Sequence, residues 1–159
     1  ALEETLEGID LFVISAGIGH FNLDYNYALE NETNQLNVIA FTRLVNWGMR
    51  YFEKQGQGHL VNISSVASRR GGRQAPAYSS SKGALLTLTE VLAEEYKEQQ
   101  ISFNAIALGA VQTEMLEEAF PGYIAPVTAK EMADYIYNFA LTGNKFYNGK
   151  VLQVSSTTP

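Results

Sequence analysis

Tyr78 and Lys82 stand four residues apart in the stretch from Pro76 to Gln100, which carries the clearest helical pattern of the chain. Pro76 suits a first helical position, and apolar residues recur at Leu85, Leu88 and Leu92, with a second stripe at Ala84 and Val91. A helix over 77–100 puts phenol and ammonium on one face, one turn apart. An ammonium beside a phenol favours the phenolate and is expected to lower a pKa that is otherwise about 10, so that the pair exchanges protons near neutral pH. With nine Tyr in 159 residues a Tyr-to-Lys spacing of four also arises by chance, and the pair alone reads first as an exposed lysine near a helix start. Ser65 adds to it. It lies thirteen residues before Tyr78, after the apolar run His59 to Ser64, where a strand end opens into a loop and a hydroxyl can face a ligand. Asn37, inside an earlier helical pattern, is a fourth polar candidate, and by residue type alone it reads as a surface amide.

The elements that must position these groups alternate. Residues 1–8 read as the tail of a polar helix stopped by Gly8. Leu11 to Ile14 is a short continuous apolar run, the pattern of a strand buried on both faces. Gly17-Ile18-Gly19 follows, but Asn22 stands where a dinucleotide fingerprint needs its third glycine, so that motif is rejected; His20 reads as a loop residue with no catalytic task. After a polar, aromatic-rich connection, a helix is predicted over 32–52. It has one stripe at Leu36, Ala40, Leu44 and Trp47 and another at Phe41, Val45 and Phe52. Two stripes imply burial from two sides, one by the sheet and one by another subunit.

Further strands are predicted over 60–64, 101–107 and 151–154, with a Ser-, Arg- and Gly-rich loop after the first of them and Gly109 breaking the second. Thr128 and Glu131 have capping-box spacing, and Met132, Ile136 and Phe139 continue a helix to near Gly143. Alternation of this kind predicts an α/β fold, a doubly wound parallel sheet of four strands with helices on both faces, in a single domain over 1–159.

Composition narrows the classes. Hydrophobic residues at 46% and charged residues at 18% indicate a folded chain, and a net charge of −6 without a basic block argues against nucleic acid or an anionic membrane as partner. Arg69, Arg70 and Arg73 form the one basic cluster and read as a solvated loop. Absence of cysteine leaves neither a disulfide framework nor a thiolate metal site, and no metal site is expected; the cytoplasm is the expected location. No apolar stretch approaches a membrane span, and the sequons at Asn31 and Asn62 read as chance matches.

Asn37, Ser65, Tyr78 and Lys82, in that order, resemble the catalytic tetrad of the short-chain dehydrogenase/reductase family. The resemblance runs from about Asp10 to the C-terminus. Ser15-Ala16-Gly17 is similar to the end of the family's Asn-Asn-Ala-Gly motif, Asn37 to Phe41 to its Asn-rich helix motif, and Asn104 to Thr113 to the segment that closes over the nicotinamide. Ile14, Ala40 and Leu108 depart from the family's usual Asn, Gly and Pro.

The resemblance implies a Rossmann-like fold and hydride transfer between NAD or NADP and a carbonyl or alcohol carbon. Ser65 would bind the substrate oxygen, Tyr78 would give or take the proton, Lys82 would lower the Tyr78 pKa and bind the nicotinamide ribose, and Asn37 would hold a relay water. Ala16 and Gly17, backbone groups of Gly109 and Val111, and the Thr113 hydroxyl would contact the cofactor. Residues 109–126, which in the family cover the substrate, are short here, so an open pocket is expected.

The resemblance also implies a homodimer or homotetramer through helices 32–52 and 77–100. No family-like Gly-rich turn for the pyrophosphate occurs in the chain. The expectation is therefore the C-terminal part of a longer enzyme, with the last four strands of the family sheet, inactive by itself. A ketone, a sugar or steroid alcohol and a 3-oxoacyl thioester all fit the tetrad, with a 3-oxoacyl-[acyl-carrier-protein] reductase-like member first by analogy. Two other readings stand beside this one. One is a non-catalytic α/β association module. The other, a serine hydrolase using Ser65, lacks a Gly-x-Ser-x-Gly elbow and a triad setting for His20 or His59.

Overall fold

The computed structural model describes residues 8–159, so the helix tail expected over 1–8 lies outside the described residues except for Gly8. Four parallel strands form one sheet in the order β1 (Leu11–Ile14), β2 (Gln57–Ser65), β3 (Gln100–Leu108) and β4 (Lys150–Val154). β2 and β3 run in register from Gln57 opposite Gln100 to Ser65 opposite Leu108, and therefore end level. Both are longer than their apolar runs, because backbone pairing continues through polar Gln57, Ser65 and Gln100.

β1 departs from expectation. Only Ile14 is fully buried, since among the described residues β1 pairs with β2 alone and its other edge has no strand against it.

The helix predicted over 32–52 is the middle of a longer unit. α1 (Tyr27–Asn34) starts where the Asn26 side chain accepts from the Ala28 N–H, a π-helical stretch follows over Gln35–Ala40, and α2 (Phe41–Gln55) ends at Gly56, whose φ is +78°. A short α3 (Ala67–Arg70) occupies part of the loop expected after β2. α4 (Pro76–Glu95) begins at its proline as predicted and stops before residue 100, because a turn must bring the chain into β3. α5 (Glu114–Ala119) gives residues 109–126 their helical part. α6 (Ala129–Thr142) starts with the expected capping box: the Thr128 hydroxyl accepts from the Glu131 N–H at 3.2 Å, and the Glu131 carboxylate accepts from the Thr128 N–H at 2.9 Å.

Strand alternation sorts the core into two layers. Leu60, Ile101 and Phe103 pack with Phe41, Val45, Met49 and Phe52 of α2 and Leu85 of α4 on one face. Val61, Ile63 and Ile106 pack with Phe139 and Ala140 of α6 on the other. Phe52 and Phe103 are each 0% exposed, and burial of such a side chain stabilises the fold by about 1.5–3 kcal/mol. The α/β fold with helices on both faces is as predicted.

Candidate functional site

The polar candidates gather at the carboxyl ends of the strands, where open parallel sheets bind ligands. Ser65 is the last residue of β2, Ala16 and Gly17 follow β1, and Gly109 follows β3. Tyr78 and Lys82 lie in the first two turns of α4.

Tyr78 and Ser65 hydrogen-bond to each other through their hydroxyls. Lys82 is 5% exposed; its Nζ donates to the Ile63 carbonyl at 3.0 Å and lies 6.0 Å from the centre of the Tyr78 ring. The Ser64 hydroxyl, donating to the Lys82 carbonyl at 2.9 Å, fastens this turn of α4 to β2. Burial lowers the Lys82 pKa to about 8, since the charged form is the one that loses solvation. Among the described residues no carboxylate pairs with it.

The expected lowering of the Tyr78 pKa is not found. Burial raises it above the ordinary value of 10.0, with the Ser65 hydrogen bond offsetting part of the rise. Spacing suggested only the attraction of the ammonium, whereas removal of the phenolate from water acts in the opposite direction and prevails. Tyr78 therefore holds its proton at neutral pH.

Asn37 is no surface amide. It is 1% exposed in the π-helical stretch, where the wider turn admits non-helical contacts. Its Oδ1 accepts from the Ile18 N–H at 2.9 Å, and its Nδ2 donates to the Ile18 carbonyl at 2.7 Å and to the Ser81 hydroxyl at 3.0 Å. Ser81 in turn donates to the Tyr78 carbonyl at 2.9 Å. Asn37 thus ties the loop after β1 to the helix that carries Tyr78 and Lys82.

That loop lies against Tyr78 and Lys82. A Cβ on Gly17 would sit 2.8 Å from Lys82 Nζ, and a Cβ on Gly19 only 2.6 Å from Cδ2 of the Tyr78 ring. Gly19 was missed in the sequence; its only signal was the Gly17-Ile18-Gly19 run, read there as a failed fingerprint. His20 faces Glu32, with Nε2 3.2 Å from Oε2.

On the β3 side, the Gly109 N–H donates to the Val154 carbonyl at 2.9 Å, and a Cβ there would meet Ser155 Oγ at 2.1 Å, so Gly109 is packed on the chain after β4. Val111 is half-buried. Gln112 closes the base of the following excursion, its N–H donating to Val127 and its Oε1 accepting from the Ala125 N–H, both at 2.8 Å. The Thr113 hydroxyl accepts from the Leu116 N–H at 3.3 Å and caps α5, which leaves its hydrogen for a ligand. An open cavity of about 610 Å³ lies at Gln112, Thr113, Glu114, Met115, Glu117 and Ala129, and none of Ser65, Tyr78 and Lys82 lines it. Among the described residues no helix is long and apolar enough to cross a membrane.

The family model described as short chain dehydrogenase matches residues 1–123. The chain is 34% identical over 131 residues to a 2-dehydro-3-deoxy-D-gluconate 5-dehydrogenase of Bacillus subtilis, covering 79% of this chain and 45% of that protein. It is 29% identical over 119 residues to a 3-oxoacyl-[acyl-carrier-protein] reductase of Bos taurus, covering 74% of this chain and 50% of that one. The chain thus spans about half the length of the curated relatives it matches. Among solved structures it resembles ElxO with NADP bound, with a TM-score of 0.83 at 26% identity, over 97% of this chain and 68% of that one. On the family match, the chain belongs to the short chain dehydrogenase family.

Proposed function

We propose that the protein carrying this chain is an NAD- or NADP-dependent oxidoreductase acting on a carbonyl or alcohol carbon, with Asn37, Ser65, Tyr78 and Lys82 as its proton-handling groups. The observation that carries the reading is the Tyr78–Ser65 hydroxyl contact at the end of β2, with a buried, carboxylate-free ammonium one turn away. The residues present fit a nicotinamide riboside. An ammonium has three donors, and Lys82 uses one, on Ile63, so two remain for ribose hydroxyls. Gly17 keeps the approach to that ammonium free of a side chain. Tyr78 and Lys82 would hold the ribose, with Ala16 and Gly17 beside it. Backbone groups at Gly109 and Val111 and the Thr113 hydroxyl would hold the carboxamide; the Gly109 N–H is already engaged by Val154, which leaves its carbonyl.

When bound, the nicotinamide supplies or accepts the hydride at the reacting carbon. In the direction of reduction Ser65 donates to the substrate oxygen, and Tyr78, protonated at neutral pH, transfers its proton to that oxygen as charge develops there. Lys82 then stabilises the phenolate that remains. Both donors of the Asn37 amide are engaged by Ile18 and Ser81, so a relay water would meet the second lone pair of Oδ1 or a backbone carbonyl of the π-helical stretch. Asn37 also positions the loop that touches Tyr78.

A second reading, association through the long helices, is favoured by one feature. A groove of about 170 Å³ between them is lined by Val38, Phe41, Thr42, Ala84, Leu85 and Leu88, and Ile39, Leu44 and Val91 are 43%, 39% and 46% exposed. A homodimer or homotetramer through this face is compatible with the enzyme, whereas a purely non-catalytic module is not. Titration of the full-length protein with NADH and NADPH separates the two. Saturable binding, and oxidation of the reduced cofactor by a carbonyl that is lost on Tyr78→Phe, supports the enzyme; no saturable binding supports the module.

A further inference from the structure

We infer that Phe21 and Phe120 form an aromatic wall on the substrate side of Tyr78, and that the site takes carbonyl substrates with a flat, apolar group beside the reacting carbon. The inference rests on Tyr78 being the proton donor proposed above. Gly19 lays a bare Cα against the Tyr78 ring. Phe21 is two residues on, so its Cα is within about 7 Å of the Gly19 Cα. It is also fixed on its far side: the next residue, Asn22, is 4% exposed and its N–H donates to the Gln74 carbonyl at 2.7 Å, just before α4. The Asn22 side chain donates to the Asn26 carbonyl at 3.1 Å and to Glu30, and accepts from the Asn26 N–H at 2.8 Å. The backbone that carries Phe21 is therefore held on both sides, next to Tyr78.

Phe120 meets Phe21 from the other loop. It follows α5, and its ring meets that of Phe21 edge to face, with centroids 5.4 Å apart and planes at 90°. The two rings belong to neither core layer and are 42% and 36% exposed. They join two loops outside the core, and an exposed apolar cluster at the rim of a candidate site is the kind of surface that receives a ligand. Leu23 and Ile124, 64% and 83% exposed, extend the apolar surface on the two loops. Two edge-to-face rings in contact present an apolar surface that suits an aryl or acyl group and offers no donor or acceptor to a polyhydroxylated chain.

The test uses acetophenone and dihydroxyacetone with the full-length protein. In ligand-observed saturation-transfer NMR, wild type should transfer magnetisation to the acetophenone ring. The Phe21→Ala, Phe120→Ala double variant should lose this transfer, while Phe146→Ala, which alters an exposed ring before β4 at the other end of the sheet, keeps it. In turnover, the ratio of kcat/KM for acetophenone over dihydroxyacetone should fall about two- to tenfold in Phe120→Ala, the range an aromatic pair supplies. Phe120→Trp, which keeps a flat ring, should restore it. No ring transfer in wild type, transfer indifferent to both phenylalanines, or an unchanged ratio overturns the wall. Ring transfer that depends on the two phenylalanines, with turnover that Tyr78→Phe leaves unchanged, keeps the wall and removes the proton-donor reading instead.

Discussion

Two polar clusters are built on the same pair of strands, and they end differently. Toward the start of β2 and in mid-β3, His59 Nδ1 donates to the Ala140 carbonyl at 2.8 Å and His59 Nε2 accepts from Asn104 Nδ2 at 3.0 Å. The same amide donates to the Tyr147 carbonyl at 2.9 Å, and its oxygen accepts from the Lys150 N–H at 3.2 Å. Both side chains are at most 2% exposed and every donor has a protein partner, so the cluster ties α6 and β4 to the sheet and has nothing left for a ligand. At the carboxyl ends Lys82 is buried and Tyr78 and Ser65 are half-buried, and the hydrogen bonding is unfinished: Lys82 retains two free donors, and the Tyr78 and Ser65 hydroxyls, with the Ala67 N–H donating to Ser65 at 3.2 Å, stand at an open rim. Burial of polar groups alone does not mark function. Unused hydrogen-bonding capacity at a strand end is what separates the second cluster from the first.

The sharpest way to break this contrast is to remove one group from each cluster. If the proposed function holds, Tyr78→Phe should lower turnover of the full-length protein by about 10²–10⁴-fold, the usual contribution of a general acid, with an unchanged thermal midpoint. Gly19→Ala should come next, at about 10²-fold, because the new Cβ would sit 2.6 Å from the Tyr78 ring and must displace it. Near-wild-type turnover in either variant would undo the assignment of the strand-end cluster as the reactive one.

The pH profile sharpens the contrast further. With the Tyr78 pKa raised and that of Lys82 lowered to about 8, the first group to change charge on going alkaline is the ammonium. The rate of carbonyl reduction should fall above about pH 8, and in Lys82→Arg the falling limb should move to higher pH. A limb that stays in place belongs to some other group.

The structural cluster should respond in stability and not in chemistry. Asn104→Ala leaves the Tyr147 carbonyl, the Lys150 N–H and His59 without that partner and should destabilise by about 1–3 kcal/mol in urea titration, with kcat retained per folded molecule. His59 works the same way through pH. Its folded pKa is lowered from 6.5 by burial, so below pH 6.5 the unfolded chain binds more protons and stability declines as pH falls through the folded value. His59→Gln should flatten that decline.

What was legible in the sequence follows the range of the interactions. The apolar runs at Leu11 to Ile14 and Leu60 to Ser64, the Pro76 helix start and the Thr128–Glu131 capping box are local patterns, and each appears where the residues indicated. Asn37 was misread by residue type because its partners, Ile18 and Ser81, are 19 and 44 residues away and a π-helical turn has no apolar period of its own. The direction of the Tyr78 shift was missed because spacing reveals a neighbouring charge and conceals desolvation. Gly19 and the Phe21–Phe120 contact depend on two loops meeting, which no local pattern encodes. His59 and Asn104 were likewise invisible as a pair, since 45 residues separate them.

Whether Tyr78 and Lys82 act as one unit is measured directly by a double-variant cycle. Turnover of Tyr78→Phe, Lys82→Met and the doubly substituted enzyme should show that the double loss is no greater than the larger single loss, as for groups that serve one proton transfer. Losses that multiply would mean that the phenol and the ammonium act independently, and the proton-handling unit at the end of β2 would not exist.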